Sequence, residues 1–135
     1  MKQEEKQLLL KDLCARLPYG MKCDRLGQAK MLLYVSPYKV YCLEFDNSEY
    51  MLGEYKIEDI KPYLRPMSSM TKEEKYTYRH MLGATLNSEG ESIMFVYVED
   101  FPAVIDWLLA HYFDFRGLIE KGLALKAPKD MYKTE

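Results

Sequence analysis

Catalytic signatures are missing from this 135-residue chain. It contains no G-x-x-x-x-G-K-[ST] phosphate loop, no G-x-G-x-x-G, no H-E-x-x-H and no G-x-S-x-G. Histidine occurs only at His80 and His111, so a His-rich metal site is excluded, and no close Cys/His pairs announce a zinc site. Cysteine is equally sparse. Cys14, Cys23 and Cys42 are odd in number, widely spaced and without a C-x-x-C pair, which reads as reduced, mostly buried thiols in a cytoplasmic protein rather than a disulfide framework. Long hydrophobic runs are absent too. The longest, such as 94–98, are far too short to span a bilayer, and the charged N-terminus is no signal peptide, so no membrane role is expected. A net charge of −2 lacks the basic excess that phosphate neutralisation usually demands of a nucleic-acid binder.

What is present is the composition of a folded domain: 48% hydrophobic and 30% charged residues, with twelve tyrosines. A chain of this length buries roughly two-thirds of its unfolded surface, enough for one core without staples. Tyrosine, an apolar ring with a polar tip, suits half-buried sheet positions and interfaces alike.

Periodicity orders the elements. Leu10, Leu13, Cys14 and Leu17 recur at i, i+3, i+4 and i+7, predicting a helix over 4–17 with Cys14 on its buried stripe; Pro18 to Gly20 stop it. From 19 to 55 the period becomes two. Ala29, Met31, Leu33 and Val35 point one way, and Tyr41, Leu43 and Phe45 resume an apolar face. Turns at Gly27, Ser36–Pro37 and Asp46–Ser48 join four strands into a meander. Pro62 and Pro66 then exclude regular structure over 61–66, and Thr71 with Glu74 forms a capping box for a helix over 71–86. A loop at 87–91, a segment at 93–98 read as a strand with a buried helical segment as the alternative, a helix capped by Asp100, a short helical turn at 116–121 and a brief edge strand before Pro128 complete the chain. The class is α+β: an N-terminal helix, an antiparallel four-stranded meander, then a helical C-terminal half with one or two extra short strands. Residues 1–135 are expected to form one domain, with a sheet-rich half 1–56, an ordered Pro-rich crossing 57–70 and a helix-rich half 71–135. Neither half can bury its apolar faces alone.

Candidate chemistry is correspondingly thin. His111 with Asp114 resembles an oriented general base, giving one reading as a small hydrolase or nuclease, but the same residues make an ordinary helix C-terminus. Glu44/Asp46 and Glu99/Asp100 are carboxylate pairs at strand ends, where acids are ordinarily solvated or cap a helix. Charge is unevenly distributed: 56–79 holds six Lys/Arg against four Asp/Glu, while 99–114 holds four acids and no Lys or Arg. A basic, tyrosine-interleaved face at 56–79 supports an alternative reading as a nucleic-acid-associated protein, provided Lys61, Arg65, Lys72, Lys75 and Arg79 share one exposed surface. The leading expectation is a non-enzymatic module with a protein partner, no catalytic residue, no metal and no cofactor. Its expected contact residues are Tyr63, Arg65, Tyr112, Phe115 and Arg116, aromatics and arginines outside long regular elements.

Two stretches, IEDIKPYLRPMSSMTKEEK (57–75) and DWLLAHYFDFRGLIEKGLALKAPKDMY (106–132), resemble an uncharacterised family of small proteins of anaerobic gut bacteria and their phages or mobile elements. The resemblance implies a cytoplasmic, phage-derived accessory protein and carries no catalytic residue with it.

Overall fold

Helix α1 (Gln3–Arg16) is built from good helix formers, and it ends where Pro18 and the left-handed Gly20 (φ 72°) turn the chain into the sheet. The computed structural model describes residues 1–36, 39–46, 49–82, 84–86, 92–95 and 101–132; residues 41, 43–46, 49–52, 84–86 and 92–95 are described by their backbone. Strands β1 (Lys22–Arg25), β2 (Gln28–Val35), β3 (Lys39–Asp46) and β4 (Glu49–Lys56) form the expected antiparallel meander. Leu26 and Gly27, both at positive φ (52° and 83°), make the first hairpin turn, whose handedness matches strand twist.

The chain then returns to the opposite side of β1. Strand β5 (Lys61–Leu64) pairs antiparallel with β1, and β8 (Leu125–Lys126) pairs parallel with β5, giving the order β4-β3-β2-β1-β5-β8. Between β5 and β8 lie α2 (Lys72–Met81), the two-stranded hairpin β6 (Ala84–Leu86) and β7 (Ser92–Phe95), and α3 (Phe101–Ala110). The architecture is α+β. Thr71 caps α2 as expected: its side chain accepts from the Glu74 N–H at 3.1 Å, and the Thr71 N–H donates to Glu74 Oε1 at 2.9 Å.

One core cluster joins α1 to the sheet and to the C-terminal segment through Leu9, Leu13, Cys23, Leu32, Ile60 and Leu118. Each leucine or isoleucine among them contributes about 1.5–3 kcal/mol by leaving water. A second cluster packs Met70, Val104, Leu108 and Phe113 between α3 and the segment entering α2.

Several expectations are corrected. The buried face of α1 is Leu9, Asp12, Leu13 and Arg16, one residue away from the apolar stripe, so Cys14 is exposed. Asp12 and Arg16 neutralise one another and enter the core together, which a count of apolar residues misses. In the sheet, Leu32, Val40 and Cys42 are buried whereas Met31 and Leu33 are 41% and 40% exposed. The register shifts at a bulge between Leu32 and Tyr34. That extra residue breaks the strict period of two and lets Leu32 and Val35 both pack on the core. Residues 61–64 are a strand, not an irregular crossing: Pro62 opposes Cys23, and β8 joins only from Tyr63 onward. Proline's fixed φ excludes a helix but is compatible with an extended segment of this length.

The second helix stops at Met81, and Ala84–Leu86 is strand, paired with β7. Turns replace the helix expected at 116–121, closed by the Lys121 N–H to Gly117 O and Leu123 N–H to Leu118 O bonds. Pro37, Asn47, Ser48, the 87–91 loop, residues 96–98 of the expected strand and the Glu99/Asp100 pair lie outside the described residues.

Candidate functional site

The crossing and the corner after α3 meet directly. The Arg65 N–H donates to the Tyr112 carbonyl at 2.7 Å, and the Asp114 N–H donates to the Arg65 carbonyl at 2.8 Å, an isolated parallel bridge continuing beyond β5. Tyr112 takes a positive φ of 64° to make this turn out of α3. Around the bridge sit all five expected contact residues, and each is half-buried.

Their polar ends are turned inward. Arg65 forms a two-pronged pair with Glu74 (Nη1 to Oε2 2.8 Å, Nη2 to Oε1 2.7 Å) and lies over the Phe113 ring at 4.2 Å. Its bond and the Thr71 N–H hold the Glu74 carboxyl well below the ordinary range, at about 2. Tyr63 donates its hydroxyl to Asp24 Oδ1 at 2.9 Å; burial and that neighbouring carboxylate raise its pKa. Tyr112 donates to the Tyr19 carbonyl and stacks on Tyr132 with ring centres 3.7 Å apart. Two cations lie over the Phe115 ring, Arg16 at 5.5 Å and Arg116 at 4.5 Å, while Arg116 Nη1 donates to Asp12 Oδ1 at 2.9 Å. These residues build the frame of a surface.

His111 and Asp114 are not brought into a dyad. His111 Nδ1 lies 2.8 Å from the Trp107 carbonyl, and its ring is tilted against Trp107. Both Asp114 oxygens accept backbone N–H groups, from Leu118 and Ile119, each at 2.9 Å. The sequence allowed Asp114 this turn-bonding role, and the structure assigns it. The basic segment is also divided: Lys61, Lys72 and Lys75 are exposed, but Arg65 is committed to Glu74, so the five cations do not share one open face.

Beside the frame lies an open groove of about 520 Å³. One wall carries Arg65, Pro66, Ser69, Thr71 and Glu74; the other is 126–130, with Tyr132. It stands at the carboxyl ends of the parallel strands β5 and β8, where a sheet's loops diverge and leave a crevice. Tyr132 anchors the second wall. Its hydroxyl lies 3.0 Å from the Lys22 N, 3.1 Å from the Lys22 carbonyl and 2.8 Å from the Tyr63 carbonyl, and burial pushes its pKa up. Sequence reasoning missed Tyr132 and the 126–130 wall, because their importance comes from pairing with β5, some sixty residues earlier. It also missed the buried pair Asp12/Arg16, whose i, i+4 spacing was its only signal.

No family model matches the chain, and neither a curated protein nor a solved structure matches it. Among the described residues, no helix is long and apolar enough to cross a membrane.

Proposed function

We propose that the protein is a non-enzymatic binding module whose groove takes an extended segment of a protein partner. The observation that carries this reading is the composition of the groove. Its walls, 65–74 and 126–132, set Arg65, Glu74, Lys126 and Lys129 beside Pro66, Ala127 and Pro128, and the frame behind them is held by internal bonds from Arg65 to Glu74 and from Tyr132 to the Tyr63 carbonyl. A rigid frame carrying a polar and apolar cleft suits recognition, since little ordering is needed on binding. Nothing in the lining pairs a nucleophile with a free base: the Glu74 carboxylate is held by Arg65 and Thr71. The resemblance further supports a cytoplasmic accessory role of phage or mobile-element origin.

The test uses substitutions at exposed groove positions that leave the frame intact: Ser69→Arg, Lys126→Glu and Lys129→Glu. The full chain, immobilised and exposed to extract of its native host, should retain a defined protein. The three variants should lose it while keeping the wild-type melting temperature. Retention of the same partner by all three variants overturns the groove reading. Recovery of nucleic acid instead, with affinity falling steeply as salt rises, favours the exposed lysines of 56–79.

A further inference from the structure

The five cations of 56–79 do not share one face, but α2 alone carries a narrower one. Lys72, Lys75, Tyr76, Arg79 and His80 follow the spacing i, i+3, i+4, i+7 and i+8, which puts them on one side of the helix. The opposite side belongs to the fold: Tyr78, Met81 and Leu82 pack on the second core cluster, and Glu74 turns to Arg65. Lys72, Lys75, Tyr76 and His80 are exposed, and Arg79 is half-buried. The remaining acid of the helix, Glu73, lies at the margin of this face, one turn before Thr77.

Helix stability does not account for the face. Ion pairs along it would make it an ordinary solvated surface, yet among the described residues neither Lys72 nor Lys75 forms one. Both lysines lie toward the N-terminal end of α2, where cations run against the helix dipole. Tyr76 belongs to neither core cluster and is 55% exposed. Its ring stands parallel to that of His80, with 3° between their planes and centres 6.2 Å apart. Unpaired positive charge and flat aromatic surface therefore lie side by side in water.

We propose that this face of α2 binds single-stranded nucleic acid. Lys72 and Lys75 take backbone phosphates, and unpaired bases stack on the Tyr76 and His80 rings. A single strand suits the face because it alternates anionic charge with flat π surface, as the face alternates cation with ring. An acidic protein segment would satisfy the lysines and leave both rings uncovered, and a duplex keeps its base faces stacked on one another. None of these contacts reads the sugar, so RNA and DNA are one class of ligand here. The net charge of −2 sets long-range attraction for the whole chain, whereas this contact depends on the local charge of α2. The face is separate from the groove, which α2 and its cap touch only at Glu74 and Thr71.

Fluorescence anisotropy of a labelled oligothymidine strand tests the proposal on the full chain. The wild type should bind in low salt, and the logarithm of its affinity should fall with the logarithm of salt at a slope of about −1.4, for two phosphate contacts. Lys72→Glu/Lys75→Glu should weaken binding by about tenfold or more. Glutamate is favoured by the dipole at a helix N-terminus, so this variant should melt no lower than the wild type. Tyr76→Ala should weaken binding by about tenfold without changing the salt slope, because it removes stacking and no charge. Lys11→Glu/Lys121→Glu, the same change of net charge at exposed sites outside α2, should bind as the wild type does. Absence of binding by the wild type in low salt overturns the proposal. So does equal binding of an abasic strand of the same length, which marks plain attraction to a polyanion. Undiminished binding by Lys72→Glu/Lys75→Glu, or an equal loss in Lys11→Glu/Lys121→Glu, also overturns it. A host protein whose retention requires Tyr76, with no strand bound, would assign the face to a protein partner instead.

Discussion

Arg16 donates its Nε–H to Oδ2 of Asp12 at 2.8 Å, with both side chains completely removed from water. The pair is the polar centre of the fold. Arg16 Nη2 also donates to the Phe113 carbonyl at 2.6 Å, and Asp12 takes a second guanidinium from Arg116, so α1 is locked to the corner after α3. Burying two charges costs several kcal/mol each in desolvation, and their attraction compensates only while both are present. Asp12→Leu should therefore destabilise the protein by about 3–5 kcal/mol. The double variant Asp12→Leu/Arg16→Met should recover much of that loss. Urea unfolding of the four proteins in this cycle checks it, and additive losses would show that the two side chains act separately.

The Arg65–Glu74 pair makes a pH prediction. Glu74 has its pKa lowered from 4.5 to about 2, so its contribution to stability is complete above 4.5. It shrinks as pH falls through that window and is gone below about 2. Glu74→Gln should lower stability at neutral pH and flatten the stability profile between 4.5 and 2. Unfolding midpoints across the window measure the slope; an unaltered slope in the variant would assign the acid response to other carboxylates.

Tyr132 gathers the Lys22 and Tyr63 backbones on one hydroxyl. Tyr132→Phe keeps the stack on Tyr112 but leaves these partly buried groups without that partner, at a cost of about 1–3 kcal/mol. Amide exchange at Lys22 should accelerate while α2 stays protected. Equal exchange in both proteins would mean that the hydroxyl is not what holds the second groove wall.

Leu26 is 85% exposed and sits at φ 52°, a left-handed conformation that disfavours a branched side chain. Leu26→Asn should stabilise the first hairpin by about 1 kcal/mol, because asparagine tolerates this region and is preferred before glycine in such a turn. Thermal unfolding reads the gain. A lower melting temperature would show that Leu26 makes contacts its exposure conceals.

The legible parts of this chain are those set by local chemistry. Thr71 and Glu74 cap a helix because their own side chains reach the backbone three residues away. The turn at Gly27, the meander and the brief strand before Pro128 follow from turn residues and alternation, though Leu26 joins that turn rather than the strand before it. The α1 stripe fails one residue to the side, since its buried face is half ionic, and the β2 phase fails at a bulge that no local signal marks. Pro62 excludes only a helix, and whether an extended segment there becomes a strand depends on β1 lying beside it.

By itself, then, the sequence determined the α+β class, the meander and the position of the Pro-rich crossing. The tertiary structure decided what the crossing is: a strand inserted beside β1, whose continuation at Arg65 bonds to Tyr112 and Asp114. It also decided that Tyr63, Arg65, Tyr112, Phe115 and Arg116 form one frame rather than separate exposed contacts. The reason is the length of the closures involved. Hydrogen bonds three or four residues apart are encoded where they form, whereas Arg65 with Phe113, or Asp12 with Arg116, depends on the whole chain having closed around its core.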